Sequence, residues 1–130
     1  MSIACLNSGA WAESIARMPQ KELPPKTCSI DRLVRRPELV QAALEGRKTE
    51  QRRDGLYAYP GERFTLQGVV FEVVDIRRER LGEMTDADAR REGYENLEAY
   101  KQAILSIHPG MRWNPEGLVW VHVFRRVDAD

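Results

Sequence analysis

The 130-residue chain lacks a long hydrophobic run, and it lacks an excess of charge of either sign. No stretch approaches the roughly 18 apolar residues of a membrane-spanning helix, and the N-terminus lacks the basic and apolar regions of a signal peptide. We therefore expect a cytoplasmic protein with no membrane partner. Its 42% hydrophobic content is sufficient for one globular core and argues against a chain that is disordered throughout.

Cysteine is also scarce. Cys5 and Cys28 lie far apart, without a Cys-x-x-Cys motif and without zinc-like spacing to His108 or His122. In a reducing cytosol two such thiols are most simply packing residues. We expect no bound metal and no cofactor.

The charged residues balance globally but not locally. Twenty basic residues match twenty acidic ones, so the chain as a whole is not expected to bind a polyanion tightly. Sixteen of the basic residues are arginine, which binds phosphate and carboxylate groups in a bidentate manner and stacks on bases. Basic residues concentrate between positions 32 and 53, and acidic residues between 83 and 98. Either the two segments are solvated faces that pair with each other, or the basic segment binds a ligand.

The chain divides into an N-terminal extension or linker, residues 1–26, and one domain, residues 27–130. The extension either is a disordered tail or contains a short helix. Such a helix would be capped by Ser8, with Trp11, Ile15 and Met18 on one face. Pro24 and Pro25 indicate an extended linker after it.

Within the domain, short strands alternate with short helices, which predicts an α+β fold with a small barrel-like sheet. The expected strands cover residues 27–30, 64–66, 69–76 and 118–127, and the expected helices cover residues 37–45, 85–92 and 96–107. Residues 67–68 form a hairpin turn, and residues 59–62 and 114–117 form further turns. The polar stretch 47–54 has too little apolar content for a core strand, and we expect a functional site there.

Lys48 is the first candidate for a chemical role, because arginines surround it at positions 47, 52 and 53. A phosphate-binding loop is excluded because a helix, and not a strand, precedes the segment. Nearby positive charge lowers the pKa of a lysine, burial lowers it further, and such a lysine acts as a nucleophile or base near neutral pH. The alternative interpretation is a solvated basic segment.

Other polar and aromatic residues carry weaker signals. Glu92 ends a predicted helix and taken alone is an ordinary surface carboxylate. His108 lies in a turn, where it could titrate. His122 shares one side of the last strand with Trp120 and is more simply a core histidine than a ligand. Trp113 and Trp120 stack on a base or pack against the core.

The string Ala43–Thr49, followed by Arg53 and Asp54, resembles the signature of ASCH domains, which belong to the PUA-like superfamily. Further features agree with that family in their order along the chain: Pro60-Gly61-Glu62, then Ala89–Gly93 with Leu97 and Tyr100-Lys101, then Ile107–Gly110, then Val119–Phe124. The resemblance covers about residues 28–127. It implies a small PUA-like β-barrel with short helices packed at its ends, and a cleft lined by the Gly-Arg-Lys-Thr segment.

The same resemblance implies a nucleoside or nucleotide ligand, or RNA, and a bacterial protein. One branch of the family, the N(4)-acetylcytidine amidohydrolases, uses a lysine, a threonine three residues later and a glutamate on a later helix. Lys48 and Glu92 match the lysine and the glutamate, but Gln51 stands where that branch has threonine, and Thr49 is one residue from Lys48. An amide is neither a nucleophile nor a proton relay at useful rates, although it donates hydrogen bonds to an oxyanion.

Three functional hypotheses follow. The first is an amidohydrolase of N-acylated nucleosides, in which Lys48 is base or nucleophile, Glu92 is general acid and base, and Gln51 or Thr49 stabilises the oxyanion. Its substrate-binding residues would be Arg47, Arg52, Arg53 and Trp113. The second is a non-catalytic module that binds RNA or a modified nucleotide. The third is a ribonuclease that depends on His108.

Overall fold

The computed structural model describes residues 23–127, so the helix expected around Trp11 lies outside the described residues. The elements follow in the order of a short 3-10 helix (Ile30–Arg32), α1 (Pro37–Leu44), β1 (Glu50–Arg53), β2 (Arg63–Leu66), β3 (Val69–Arg80), a second 3-10 helix (Leu81–Glu83), α2 (Asp86–Glu92), α3 (Leu97–Ile107) and β4 (Leu118–Arg126). Among residues 23–127, no helix is long and apolar enough to cross a membrane.

The four strands form one antiparallel sheet in the order β1-β4-β3-β2, curled into a half-barrel. The C-terminal strand β4 therefore lies between β1 and the long strand β3. The ladder between β3 and β4 shifts register between Val73 and Asp75, and such a bulge increases the local bend of a strand. The α+β class and the curled sheet predicted from the sequence are confirmed.

The core lies on the concave face of this half-barrel. The rings of Phe64, Phe71 and Phe124 contact one another with centroids 5.4–5.8 Å apart. Leu39 of α1 and Leu33 pack into the same cluster. Each such side chain contributes about 1.5–3 kcal/mol when it is removed from water, so this cluster supplies much of the force that holds α1 on the sheet.

The predicted hairpin between β2 and β3 is confirmed. Gln67 and Gly68 both have positive φ, 49° and 84°, as the two central residues of a type I′ turn require. This turn brings Leu66 opposite Val69, and it places Phe64 opposite Phe71 on the core face.

Helix α2 begins and ends at the residues that the sequence predicts, and these limits place Glu92. The Thr85 side chain accepts a hydrogen bond from the Asp88 main-chain N–H, and the Asp88 carboxylate accepts one from Thr85 at 2.9 Å. Gly93 ends the helix with φ of 104°, a conformation that favours glycine. A Cβ at Gly93 would lie 3.3 Å from the Cβ of Ala42, so the end of α2 approaches α1 closely.

Two local predictions were wrong. Residues 27–30 do not form a strand; instead Ser29 accepts a hydrogen bond from Asp31 and caps the first 3-10 helix. The polar stretch, which looked too polar for a core strand, contains the buried strand β1. Burial of such a strand is possible because opposite charges from β3 and α2 surround its polar side chains.

Candidate functional site

Lys48 and Glu92, 44 positions apart, lie in contact beneath the surface. Lys48 Nζ donates to the main-chain oxygens of Glu50 at 2.6 Å and Glu92 at 2.9 Å, and it lies 3.3 Å from the carboxylate oxygen Oε1 of Glu92. The two side chains are 0% and 1% exposed. Three protein acceptors therefore occupy the three donor directions of the ammonium group.

Burial lowers the pKa of Lys48. The charge of Glu92 and its hydrogen bond to Lys48 oppose this effect, while the nearby guanidinium groups of Arg53 and Arg52 add to it. The direction agrees with the one expected from the sequence, and its main cause is the loss of water rather than the neighbouring arginines.

Arg52 lies at the centre of this region, with its side chain 1% exposed. It donates from Nη1 to Glu92 Oε2 and to Glu50 Oε1, both at 3.0 Å, and from Nη2 to Glu79 Oε1 at 2.7 Å. Burial opposes its charge, but the three carboxylates outweigh burial and raise the pKa of Arg52 above its ordinary value. Its guanidinium is thus held by protein carboxylates on three elements.

These contacts belong to a larger set of ion pairs. Glu50 Oε2 also accepts from Arg77 at 3.3 Å and from Arg91 at 3.2 Å, and Arg91 pairs with Asp88. We call this set the enclosed charge network after its buried members. It contains four cations and four anions: Lys48, Glu50, Arg52 and Glu92 are buried, and Arg77, Glu79, Asp88 and the half-exposed Arg91 surround them. Because the charges balance, the polar strand β1 can be buried without an uncompensated ion.

Sequence analysis did not identify Glu50 or Glu79 as part of this region. The spacing Lys48, Glu50, Arg52 places alternate residues on one side of an extended chain, and that alternation was the available signal for Glu50. Glu79 lies close to Arg52 only because β3 pairs with β4 and β4 pairs with β1. The local sequence does not indicate this pairing.

Gln51 faces the opposite side of β1, toward the concave face of the half-barrel. Gln51 pairs with His122 of β4, and His122 pairs in turn with Ile76 of β3, so all three side chains share that face. The Gln51 Nε2 donates to the main-chain oxygen of Arg52 at 3.3 Å. Its Oε1 is buried and has no hydrogen-bond partner.

Arg53 lies in the next row of the same face, opposite Trp120. Its guanidinium donates to the main-chain oxygens of Leu33 at 2.8 Å and Arg32 at 3.1 Å, and it lies 5.2 Å from the ring centroid of Tyr57. This arrangement leaves the positive charge of Arg53 next to an aromatic ring at the rim of the concave face.

His122 is a core residue, as the sequence indicated. It is fully buried; its Nε2 accepts from the main-chain N–H of Tyr57 at 3.0 Å, and its Nδ1 therefore carries the proton and donates to the Gln51 oxygen at 3.1 Å. Burial lowers the pKa of His122 to about 4, so the ring is neutral at physiological pH. His108, by contrast, is exposed at the end of α3.

The remaining predicted site residues are dispersed. The main-chain N–H of Thr49 donates to Arg91 O at 2.7 Å, and its main-chain oxygen accepts from the N–H of Phe124 at 3.0 Å. Arg47 is exposed, pairs with Glu45 at 2.6 Å, and lines an open groove of about 660 Å³ together with Tyr94. Trp113 packs against Tyr100 with centroids 6.1 Å apart, and Lys101 lies 5.0 Å from its ring centroid. Among residues 23–127, no group of His, Cys, Asp and Glu is arranged to hold a metal ion.

No protein-family model matches the chain, and no curated protein matches it in sequence. Two solved structures match it in fold. The crystal structure of an ASCH domain from Lactobacillus crispatus JV V101 has a TM-score of 0.55 at 14% identity, covering 68% of this chain and 69% of the other. A protein of family DUF984 from Enterococcus faecalis V583 has a TM-score of 0.50 at 17% identity, covering 69% and 67%. At these identities the likeness concerns the fold, and the chain has the fold of an ASCH domain.

Proposed function

We propose that this ASCH-fold domain binds a nucleoside or nucleotide without converting it, at the edge of the concave face where the partly exposed Arg53 lies beside Gln51. The ligand class comes from the resemblance of the Ala43–Thr49 signature to ASCH domains. The observation that carries the proposal is the enclosure of Lys48 and Glu92, whose side chains are 0% and 1% exposed and whose polar atoms contact protein partners.

Direct participation of Lys48 in amide hydrolysis conflicts with this enclosure. Attack requires an amine lone pair about 3–3.5 Å from the substrate carbonyl carbon. All three donor directions of Lys48 Nζ end on Glu50 or Glu92. For Lys48 to reach a substrate, its ion pair with Glu92 would have to break. Loss of one partner of a buried ion pair costs about 3–5 kcal/mol.

Gln51 points to the same conclusion. It occupies the position at which the amidohydrolase branch has threonine, and its amide supplies hydrogen bonds but no nucleophile. An amide at this position suits recognition of a ligand better than transformation of it.

Surface residues favour a small nucleotide-like ligand. Arg53 lies against the Tyr57 ring, 5.2 Å from its centroid. A base stacked on an aromatic ring gains about 1–3 kcal/mol, and a guanidinium beside it binds a phosphate. The net charge of zero disfavours tight binding of long RNA, which needs surplus cations.

Calorimetric titration with cytidine, CMP and N(4)-acetylcytidine tests the proposal, with mass spectrometry of the same mixtures. We expect saturable binding of at least one of them and no release of acetate. Arg53→Gln should weaken binding, whereas Arg63→Gln, which removes an exposed pair with Glu72, should not. Acetate release that is lost in Glu92→Gln would overturn the proposal.

One observation favours amide hydrolysis as a second candidate function. Lys48 Nζ and Glu92 Oε1 lie 3.3 Å apart, and burial lowers the pKa of the lysine, so that a neutral amine is more accessible. In that reaction water adds to the acyl carbon and gives a proton to Lys48, Glu92 protonates the leaving nitrogen, and the C–N bond breaks to release the amine and a carboxylic acid. Lys48→Met and Glu92→Gln would then each abolish turnover while cytidine binding persists.

A further inference from the structure

Among residues 23–127, two buried side-chain polar atoms lack a hydrogen-bond partner: Oε1 of Gln51 and Nη1 of Arg78. An unsatisfied buried donor or acceptor is destabilising, and folded proteins contain few of them. Neither atom belongs to the enclosed charge network, whose guanidinium and carboxylate groups are paired. The two atoms therefore require an explanation outside that network.

The strand register places both residues on the concave face. Gln51 pairs with His122, while Arg53 pairs with Trp120, and Trp120 pairs with Arg78 on its other side. Directly paired residues of antiparallel strands share a face, so Arg53, Trp120 and Arg78 form one row across the sheet. Gln51 lies in the neighbouring row on the same face. We call these three residues the Arg53–Trp120–Arg78 row. Two strand spacings, roughly 10 Å, separate β1 from β3 across this row.

The orientation of the Gln51 amide follows from its contact with Arg52. The main-chain oxygen of Arg52 is a hydrogen-bond acceptor and lies 3.3 Å from Gln51 Nε2. A flipped amide would place Oε1 there instead, so that two acceptor oxygens would be in contact. Oε1 must therefore point away from this oxygen. The missing partner of Oε1 is a hydrogen-bond donor.

The Arg53–Trp120–Arg78 row carries positive charge without a carboxylate partner in the part of the chain that the structure describes. The Arg78 guanidinium lies 4.9 Å from the Trp120 ring centroid, and Arg53 donates only to neutral main-chain oxygens. Within residues 23–127, neither arginine forms a salt bridge. The contrast with the paired cations Arg52 and Arg77 indicates that the missing partner of the row is an anion.

We propose that the Arg53–Trp120–Arg78 row binds the anionic group, a phosphate monoester or a carboxylate, of a small ligand whose N–H group donates to Gln51 Oε1. Within the proposed function, on which this inference rests for the nucleobase, the preferred ligand is a mononucleotide rather than a nucleoside. The anion completes the hydrogen bonds of Arg78, and the base supplies the donor that Gln51 lacks.

Titration of the full chain with cytidine and CMP, and competition of CMP by inorganic phosphate or succinate, tests this inference. We expect CMP to bind at least about tenfold more tightly than cytidine, because its phosphate accepts charge-assisted hydrogen bonds from the arginines. Arg78→Met should lower the affinity for CMP to about that for cytidine. Gln51→Met should weaken both ligands. Competition by phosphate alone identifies a phosphate ligand, and competition by succinate alone identifies a carboxylate ligand.

A stability measurement on the free protein separates loss of the site from loss of the fold. Each variant removes one polar atom that has no partner and one weak contact, either the Gln51–Arg52 hydrogen bond or the Arg78–Trp120 contact, so the Tm of Arg78→Met and of Gln51→Met should lie close to that of the parent chain. Matched controls are Arg63→Met, which removes an exposed pair, and Gln102→Met, which removes an exposed contact with Glu98. Both controls should retain the preference for CMP.

Three results would each overturn one or both proposals, and each result identifies the proposal that fails. Equal affinity for CMP and cytidine, unchanged in Arg78→Met, would overturn the anion site and leave nucleoside binding intact. Phosphate or succinate binding that Arg78→Met abolishes, without binding of cytidine or CMP, would overturn the nucleotide function and retain the anion site. Absence of binding of any probe at millimolar concentration would overturn both.

Discussion

Arg52 Nη1 lies 3.0 Å from Glu92 Oε2, and the two side chains are each 1% exposed. Arg52 belongs to strand β1 and Glu92 is the last residue of α2, so this ion pair joins the sheet to a helix. The other carboxylate oxygen of Glu92 contacts Lys48. Glu92 is therefore held between two cations that have no access to solvent, and this position fits a role in maintaining the fold.

Arg52→Met is expected to destabilise the domain strongly. It removes the cation that Glu50, Glu79 and Glu92 share, and loss of one partner of a buried pair costs about 3–5 kcal/mol. Urea unfolding measures the change in the free energy of unfolding. Arg63→Met, in an exposed pair with Glu72, should cost no more than about 1 kcal/mol. Equal losses in the two variants would contradict a structural role for the network.

His122 predicts a rise in stability with pH. Its folded pKa, lowered to about 4 by burial, lies below the unfolded value of about 6.5, so the unfolded state binds more protons between these two values. The free energy of unfolding should therefore increase by about 3 kcal/mol from pH 4 to pH 7 through this group, and the contribution is lost as pH falls. His122→Gln should flatten the curve between pH 5 and 7, whereas exposed His108→Gln should not. An unchanged slope in His122→Gln would refute the assignment.

The end of α2 provides a test of how Glu92 is placed. Gly93 and Gly46 both have positive φ, 104° and 86°, but a Cβ at Gly93 would lie 3.3 Å from Ala42, and a Cβ at Gly46 would meet nothing within 4 Å. Alanine at either position is strained by roughly 1 kcal/mol, and Gly93→Ala adds crowding against α1. Thermal unfolding should therefore show a larger decrease in Tm for Gly93→Ala. A larger decrease for Gly46→Ala would contradict the close approach of the two helices.

Lys48 is expected to resist amine-reactive reagents in the folded protein. Its side chain is fully enclosed, whereas Lys101 is partly exposed beside Trp113. Brief acetylation followed by peptide mass spectrometry should modify Lys101 in the native state and Lys48 only after unfolding. Native-state labelling of Lys48 at a rate similar to that of Lys101 would show that the amine reaches solvent, and would favour the amidohydrolase.

The sequence predicts the elements whose limits depend on local chemistry. Thr85 with Asp88 and the following Gly93 limited α2 correctly, and Gln67-Gly68 marked the hairpin. These signals act within four residues, because capping and turn geometry depend on neighbouring backbone groups.

Long-range pairing explains what the sequence did not show. Strand β1 has no apolar residue, and its burial depends on Glu79 of β3 and Glu92 of α2, which no local pattern links to it. The contrast between a basic segment and an acidic one did indicate pairing, but it suggested a solvated surface rather than a buried network. Gln51 and Arg78 share a face only through the register of β4, so their relationship needed the structure.

The central claim is that the Lys48–Glu92 pair supports the fold while the concave face binds a ligand without turnover. Incubation of the full chain with N(4)-acetylcytidine, with acetate and cytidine measured by mass spectrometry, tests it most directly when Glu92→Gln is assayed in parallel. The account predicts bound ligand and no acetate above the level of a protein-free control. Acetate released by the parent chain and absent with a folded Glu92→Gln variant would contradict it.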